Sequence, residues 1–299
     1  MLIHTPHHLL PVNRDGRDFV VGDVHGHAAL LDGLLAAVHF EPSRDRLIAL
    51  GDLIDRGPDS LELLQRVATL PWFHSLRGNH EALLQDSMHD VTSALLWHRN
   101  GGQWGQALAD AELRALARCV DGLPLAMTLP LRDGRRIGLV HAEVPIGAAW
   151  SDVEALNRDL PRAPRAAGRS NAGDAEALQD SLLWGRRRIS ACERLHRLLA
   201  PQALTDTLQA RLSRALQPVP GIDQIIAGHS YAHDRRPLAC GNLLFIDTGV
   251  FEHDGRLTLF EPLRQHYWQA RYGFDGRPQL LRHEGEPAPP AAWLPQLVA

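Results

Sequence analysis

Short apolar runs alternate with helix-spaced apolar positions along the first hundred residues. Residues 19–21 read as a strand, and the stretch 27–38 that follows places Leu30, Leu31, Leu34, Leu35 and Val38 on one helical face. The unit then repeats. Residues 47–50 and 73–76 have the strand pattern, and 60–68 and 81–88 the helical one. Such alternation predicts β-α-β units and a mainly parallel sheet. Each strand runs directly into a turn that contains glycine.

Further along, 125–131 and 136–140 are joined by Asp133 and Gly134 and predict a hairpin whose second strand delivers His141. Residues 151–173 are rich in Arg, Ala, Pro and Asn without a clear period, which predicts an inserted surface loop bordering whatever site the flanking residues form. Helical spacing resumes over 175–183 and 202–216, and strands return at 222–227, 243–246 and 257–260, so a second sheet is expected. The resulting organisation is one domain over 1–275 with surface insertions near 151–173 and 190–220. A Pro-rich tail follows over 276–299.

With 299 residues, 44% of them hydrophobic, the chain can bury a large core. A formal net charge of -4 argues against a nucleic-acid partner, which calls for a clustered basic surface. No run of about eighteen apolar residues is present, and the start lacks a basic segment followed by an apolar one, so neither membrane spanning nor secretion is expected. Three widely separated cysteines, Cys119, Cys192 and Cys240, suggest neither a disulfide framework nor a thiolate metal site, and the chain reads as cytoplasmic. Its oligomeric state is not encoded in any pattern. Histidine is the outlier, with 17 residues. Most of these, including His4, His7 and His8 at a frayed terminus, read as structural or solvated.

Three turns carry the chemistry: GDVHG at 22–26, GDLIDRG at 51–57 and GNHE at 78–81. Each follows a predicted strand, so their side chains should gather where neighbouring strands end, the place at which open α/β sheets bind ligands. Their donors are Asp23, His25, Asp52, Asn79 and His80, joined by the strand-end residues His141 and His229. Carboxylate, imidazole and amide oxygen without thiolate suit Mn, Fe, Zn or Ni. One ion cannot use so many ligands and keep open positions, so two divalent ions are implied, with Asp52 as the natural bridge.

GDxHG, GDxxDRG and GNHE resemble the signature of the phosphoprotein phosphatase branch of the calcineurin-like metallophosphoesterases. NGGQW at 100–104, LVHAEVP at 139–145, LLWGR at 182–186 and AGHS at 227–230 resemble the bacterial and phage lambda-type members. The resemblance covers roughly residues 17–250. It implies a two-sheet β-sandwich flanked by helices, a four-layer α/β/β/α fold. It also implies Asp23, His25 and Asp52 at one metal, and Asp52, Asn79, His141 and His229 at the other, with Mn2+ as the leading ion. His80 would then be the general acid, oriented by Asp55, and Arg56, Arg186 and Asn79 would hold the phosphoryl group. A hydroxide bridging the metals would attack in line. Expected substrates are phosphorylated proteins or peptides carrying phosphoserine or phosphothreonine, with phosphotyrosine as a further candidate.

Arg187 and Arg188, next to Arg186, read as a solvated charge run, as do Arg162, Arg165 and Arg169. Asn100 and Trp104 fit either a substrate groove or a packed turn. Two other functions share the motifs. One is hydrolysis of dinucleoside polyphosphates, against which Asp55, Arg56 and Glu81 speak. The other is a binding module without activity, against which the complete ligand set speaks.

Overall fold

The strand-helix alternation of the first hundred residues folds as expected, because apolar runs such as Phe19–Val21 are buried on both faces of a sheet and need helices to cover them. A computed structural model describes residues 6–159, 172–197, 210 and 213–281. Its strands are β1 (His7–Leu9), β2 (Asp18–Val21), β3 (Arg46–Ala49), β4 (Phe73–Ser75), β5 (Ala126–Pro130), β6 (Arg136–Val140), β7 (Gln224–Ala227), β8 (Leu238–Cys240), β9 (Leu243–Phe245), β10 (Leu257–Glu261), β11 (His266–Tyr272) and β12 (Pro278–Leu281). Its helices are α1 (Ala28–Ala37), α2 (Ser60–Thr69), α3 (Asn79–Asp86), α4 (Val91–Arg99), α5 (Asp110–Asp121), α6 (Trp150–Asp159), α7 (Ala172–Trp184) and α8 (Arg187–Arg197). A 3-10 turn spans Gly102–Ala107.

The strands form two six-stranded sheets, ordered β1-β5-β6-β7-β9-β8 and β12-β11-β10-β2-β3-β4. In the second, β2, β3 and β4 are parallel, with Val21 beside Ala49 and Ala49 beside Ser75. In the first, β6, β7 and β9 are parallel, with Val140 beside Ala227 and Ala227 beside Phe245. Each sheet therefore sets three carboxyl ends side by side. The turns at 22–26, 51–57 and 78–81 leave from one set, and His141, His229 and Asp247 follow the other.

Alternation along the strands builds three core layers. Phe19, Val21, Leu47, Ala49, Leu257 and Leu259 face α1 and α2, packing with Leu30, Leu31, Leu34, Leu63 and Leu64. Val20, Ile48, Leu50, Phe260, Leu139 and Ile226 point the other way and form the layer between the sheets. Val140, Ile225, Ala227 and Phe245 pack with Trp150, Leu156, Leu182 and Ile189 of the helices on the far side. The order is helix, sheet, sheet, helix.

Several expectations need correction. Residues 151–159, read as the start of a loop, belong to a helix that begins at Trp150: Trp150, Val153 and Leu156 are buried at three-residue spacing, a stripe hidden by the polar residues around it. Residues 160–171 of that predicted loop, with Arg162, Arg165 and Arg169, lie outside the described residues, as does most of 198–212, and its last two residues, Ala172 and Gly173, begin α7. His7 is not frayed but buried in β1, its Nε2 2.8 Å from Thr128 Oγ1 and its backbone N–H donating to Asn157 at 2.9 Å. Pro278–Leu281, inside the segment read as a tail, forms the edge strand, with proline at the first position where no ladder donor is needed.

Arg188 is fully buried rather than solvated, donating to the carbonyls of Val144, Ala215 and Gln217 at 2.8 to 2.9 Å. The cysteine reading is corrected too. Cys192 on α8 and Cys240 on β8 form a disulfide, with Cα atoms 6.0 Å apart, while Cys119 is free and exposed. Sequence distance concealed the pair because β8 returns to α8 only through the sheet. Among the described residues no helix is long and apolar enough to cross a membrane.

Candidate metal centre

Side-chain placement at the strand ends starts with the backbone. Val24 and His25 donate to the Asp52 carbonyl at 3.1 and 2.8 Å, extending the β2–β3 ladder into the turns. His25, Asp52, Asp55, Arg56 and His229 all have positive φ, between 44° and 72°. This costs a non-glycine residue roughly 1–3 kcal/mol. Glu81 offsets part of it. Its buried carboxylate accepts the N–H groups of Asp52, Leu53 and Gly78, each at 2.8 Å, and thereby ties the second turn to the third. Hydrogen bonds to a charged group contribute about 1.5–3 kcal/mol each. Glycine is required at Gly51, where φ is 97° and a Cβ would meet the Gly78 nitrogen at 2.5 Å, and at Gly228, where it would strike the Asp23 carboxylate.

These turns converge on a cavity of about 380 Å³ lined by Asp23, His25, Asp52, Arg56, Asn79, His80, Arg186 and His229. His141 is buried directly behind it, with Nε2 2.8 Å from Asn79 Oδ1 and 3.5 Å from Asp52 Oδ1. Every residue expected at the site is thus brought to one place. Two groups are tightest, His25 with Asp52 and His80, and Asp52 with His141 and His229; in each the potential ligand atoms lie within 4.8 Å of one another. Asp52 belongs to both. Asp23 lines the same cavity, and its oxygens receive the His229 N–H at 3.0 and 3.1 Å.

Proton bookkeeping shows that the cluster fits cations. His141 Nδ1 lies 2.9 Å from the Leu50 carbonyl and His25 Nδ1 lies 2.9 Å from that of Ile54, so both nitrogens carry the proton and donate. Their Nε2 atoms are therefore lone pairs. They face Asn79 Oδ1 and the Asp52 carboxylate, which are also electron-pair donors, a repulsion that a cation bound between them relieves. His229 turns Nδ1 toward Asn79 Oδ1 at 2.8 Å, and its Nε2 is buried without a partner.

Burial pushes His25 down to about 3 and His229 down to about 2, and it lowers His141 as well. All three are neutral imidazoles, the form that binds metal. Asp23, Asp52 and Asp247 are each 2% exposed, and none forms a salt bridge with arginine among the described residues. Burial, then the charges of Asp247 and Asp52, push Asp23 well above the usual carboxylate range. This is the electrostatic demand that bound cations relieve.

Beside the cluster stands a dyad. His80 Nδ1 is 2.7 Å from Asp55 Oδ2, and Arg56 Nη2 is 3.3 Å from His80 Nε2. Burial works against a charged His80, but Asp52 and the Asp55 hydrogen bond outweigh it and raise the imidazole above its usual value. Asp55 is fully buried and takes two further donors, Trp104 Nε1 at 2.8 Å and Trp97 Nε1 at 3.1 Å from both oxygens. The NGGQW turn thus supports Asp55.

Of the three adjacent arginines, Arg186 is the one that lines the cavity. Arg187 and Arg188 donate their backbone N–H groups to Glu143 at 2.8 and 2.7 Å, fixing the start of α8. Sequence reasoning missed Trp97, Asp247 and Phe251, all at or beside the cavity. Asp247 had a signal: LFIDTG repeats the strand, acid and glycine order of the first two turns. Trp97 had none, since a tryptophan on an amphipathic helix reads as core.

A family model described as calcineurin-like phosphoesterase matches residues 19–232. A serine/threonine-protein phosphatase 2 from Salmonella typhimurium is 30% identical over 251 residues, 81% of this chain and 91% of that protein. A symmetrical bis(5'-nucleosyl)-tetraphosphatase from Methylococcus capsulatus is 33% identical over 141 residues, 47% of each chain. The solved structure of a Saccharomyces cerevisiae protein serine/threonine phosphatase aligns over 95% of this chain and 85% of its own, with a TM-score of 0.51 and 15% identity, a likeness of fold.

Proposed function

The chain belongs to the calcineurin-like phosphoesterase family, and on that footing we propose that it is a protein phosphatase acting on phosphoserine and phosphothreonine. As a metallophosphoesterase it is a hydrolase of phosphoric monoesters. We assign Asp23, His25, Asp52, Asn79, His141 and His229 to the family's dinuclear centre, with Mn2+ as the pair. Bound there, two divalent ions supply an ionised water near neutral pH and offset phosphoryl charge.

The remaining chemistry falls to the protein's own groups. Arg56 and Arg186 direct guanidinium forks at the phosphoryl oxygens, where charge-assisted pairs strengthen as negative charge develops. Asn79 supports the same group. Asp55 accepts the Nδ1–H of His80 and, with Asp52, favours the imidazolium, whose second proton, on the cavity-facing Nε2, passes to the departing alkoxide and leaves the neutral Nδ1–H ring. The observation that carries this reading is the dyad placed beside the ligand cluster, with Nδ1 2.7 Å from Asp55 and Nε2 3.8 Å from Asp52 Oδ2. A partner-binding scaffold has no use for a buried charged pair aimed at a cation site.

Support for a protein substrate comes from the extent of likeness, 81% of the chain to the protein phosphatase against 47% to the tetraphosphatase. The 33% identity to the latter keeps diadenosine tetraphosphate as the second reading. Assay with Mn2+ on phosphopeptides, an aryl phosphate and diadenosine tetraphosphate decides. Faster turnover of phosphopeptide is the expected result, a preference for the nucleotide reverses the ranking, and inactivity on all three rejects the enzyme.

A further inference from the structure

Arg56 is exposed and forms no salt bridge with a carboxylate among the described residues. Its Asp55–Arg56 backbone is left-handed, with φ of 72° and 71°. An arginine so placed, with a long flexible stem and no acidic partner, would ordinarily sample many rotamers. It does not stand alone here. The guanidinium carbon lies 3.6 Å from the centre of the Phe251 ring, with one fork nitrogen 3.3 Å from His80 Nε2.

Phe251 comes from a distant turn, which is itself well anchored. Asp247 Oδ1 accepts the Gly249 N–H at 2.8 Å, and Glu252 N–H donates to the Gly249 carbonyl at 2.8 Å. Tyr231 adds a second tie: its hydroxyl donates to Glu252 at 2.7 Å, its ring meets Phe251 edge-on at 6.0 Å, and Arg235 covers it at 4.3 Å. Phe251 also presents itself at a right angle to the ring of His25, 5.0 Å away. The phenyl face is thus fixed from three directions before Arg56 reaches it.

We infer that Phe251 is a positioning residue: its ring is a platform that holds Arg56 flat, so that the guanidinium edge, with its parallel N–H donors, points into the cavity at the phosphoryl oxygens. A carboxylate could orient the arginine equally well, but it would compete with phosphate for the same donors. The aromatic face attracts the cation through its quadrupole and itself takes up none of the N–H donors. The inference deepens the phosphomonoesterase reading and rests on it for its ligand, though the platform itself can be tested without turnover.

The test uses full-length protein and the variants Phe251→Leu, Phe251→Tyr and Arg56→Ala. NMR of the arginine side chains should place Arg56 Nε–H upfield through the ring current of Phe251, and the shift should vanish in F251L and persist in F251Y. Orthophosphate, used as the probe of the cavity, should inhibit or bind about tenfold more weakly in F251L. In that variant KM for an aryl phosphate should rise more than kcat falls, with metal content unchanged. F251Y should restore both, and F251L should add little in the R56A background. An unshifted Arg56 signal, undiminished phosphate affinity in F251L, or an equal loss in R56A would each overturn the platform. A shifted signal in a protein that hydrolyses no phosphomonoester would instead sink the proposed function and leave the platform standing.

Discussion

Trp104→Phe removes one N–H together with part of the ring that packs against Trp97, and the structure sets the size of the hydrogen-bond effect. Asp55 is a buried carboxylate with three donors: His80 Nδ1 at 2.7 Å, Trp104 Nε1 at 2.8 Å and Trp97 Nε1 shared at 3.1 Å between both oxygens. Without Trp104, Oδ1 keeps only the longer, shared bond. A hydrogen bond to a charged group contributes about 1.5–3 kcal/mol, and the site is too buried for water to replace it in full. Urea denaturation should therefore show a loss in that range. Turnover of substrates with poor leaving groups should fall about tenfold, the equivalent of 1.4 kcal/mol, because Asp55 orients His80.

The control is the same substitution in Asp55→Asn, where the charge is gone. There the loss should shrink to well under half, giving a coupling energy of about 1 kcal/mol or more. An unchanged loss would show that Trp104 acts through packing alone, and the hydrogen-bond argument would fail.

His80→Asn should keep metal content by elemental analysis and lower kcat by about 10² to 10⁴, less for good leaving groups; loss of metal would move His80 into the ligand set. Asp52→Asn, which alters the shared ligand, should lose metal and activity together, and retained stoichiometric metal would contradict its bridging role. Burial lowers the pKa of His7 below 6.5, so the folded chain binds fewer protons there than the unfolded one. Its stability is complete above about pH 6.5 and declines below, by up to about 1.4 kcal/mol per unit. The difference in urea midpoint between wild type and His7→Gln should change sign-consistently from pH 7.5 to 5.5, and parallel midpoints would refute it. Thiol titration of oxidised, unfolded protein should find Cys119 alone, and all three cysteines after reduction; three without reductant would exclude the Cys192–Cys240 bond.

Legibility in the sequence followed locality. The strands 19–21 and 47–50 and the turns after them were readable because period and turn chemistry act over a few residues, and strand order then gathers the ligands. Features that depend on distant segments meeting were not. Trp97 reaches Asp55 across 42 residues, Cys192 meets Cys240 across 48, and Phe251 meets Arg56 from another turn altogether. Trp150, Val153 and Leu156 formed a helical stripe that composition masked. Asp247 repeated a visible grammar, yet nothing local shows that two sheets point their ends at each other.

The left-handed residues of the centre bear on any attempt to improve the protein. Five side chains that the chemistry needs occupy backbone that glycine would adopt more comfortably. A laboratory screen that rewards heat tolerance alone will drift toward glycine or asparagine at Arg56, the exposed one of the five, and its winners will be sturdier and inert. Engineering for robustness has to begin elsewhere, on the outer helices and the sheet edges, and treat these turns as untouchable.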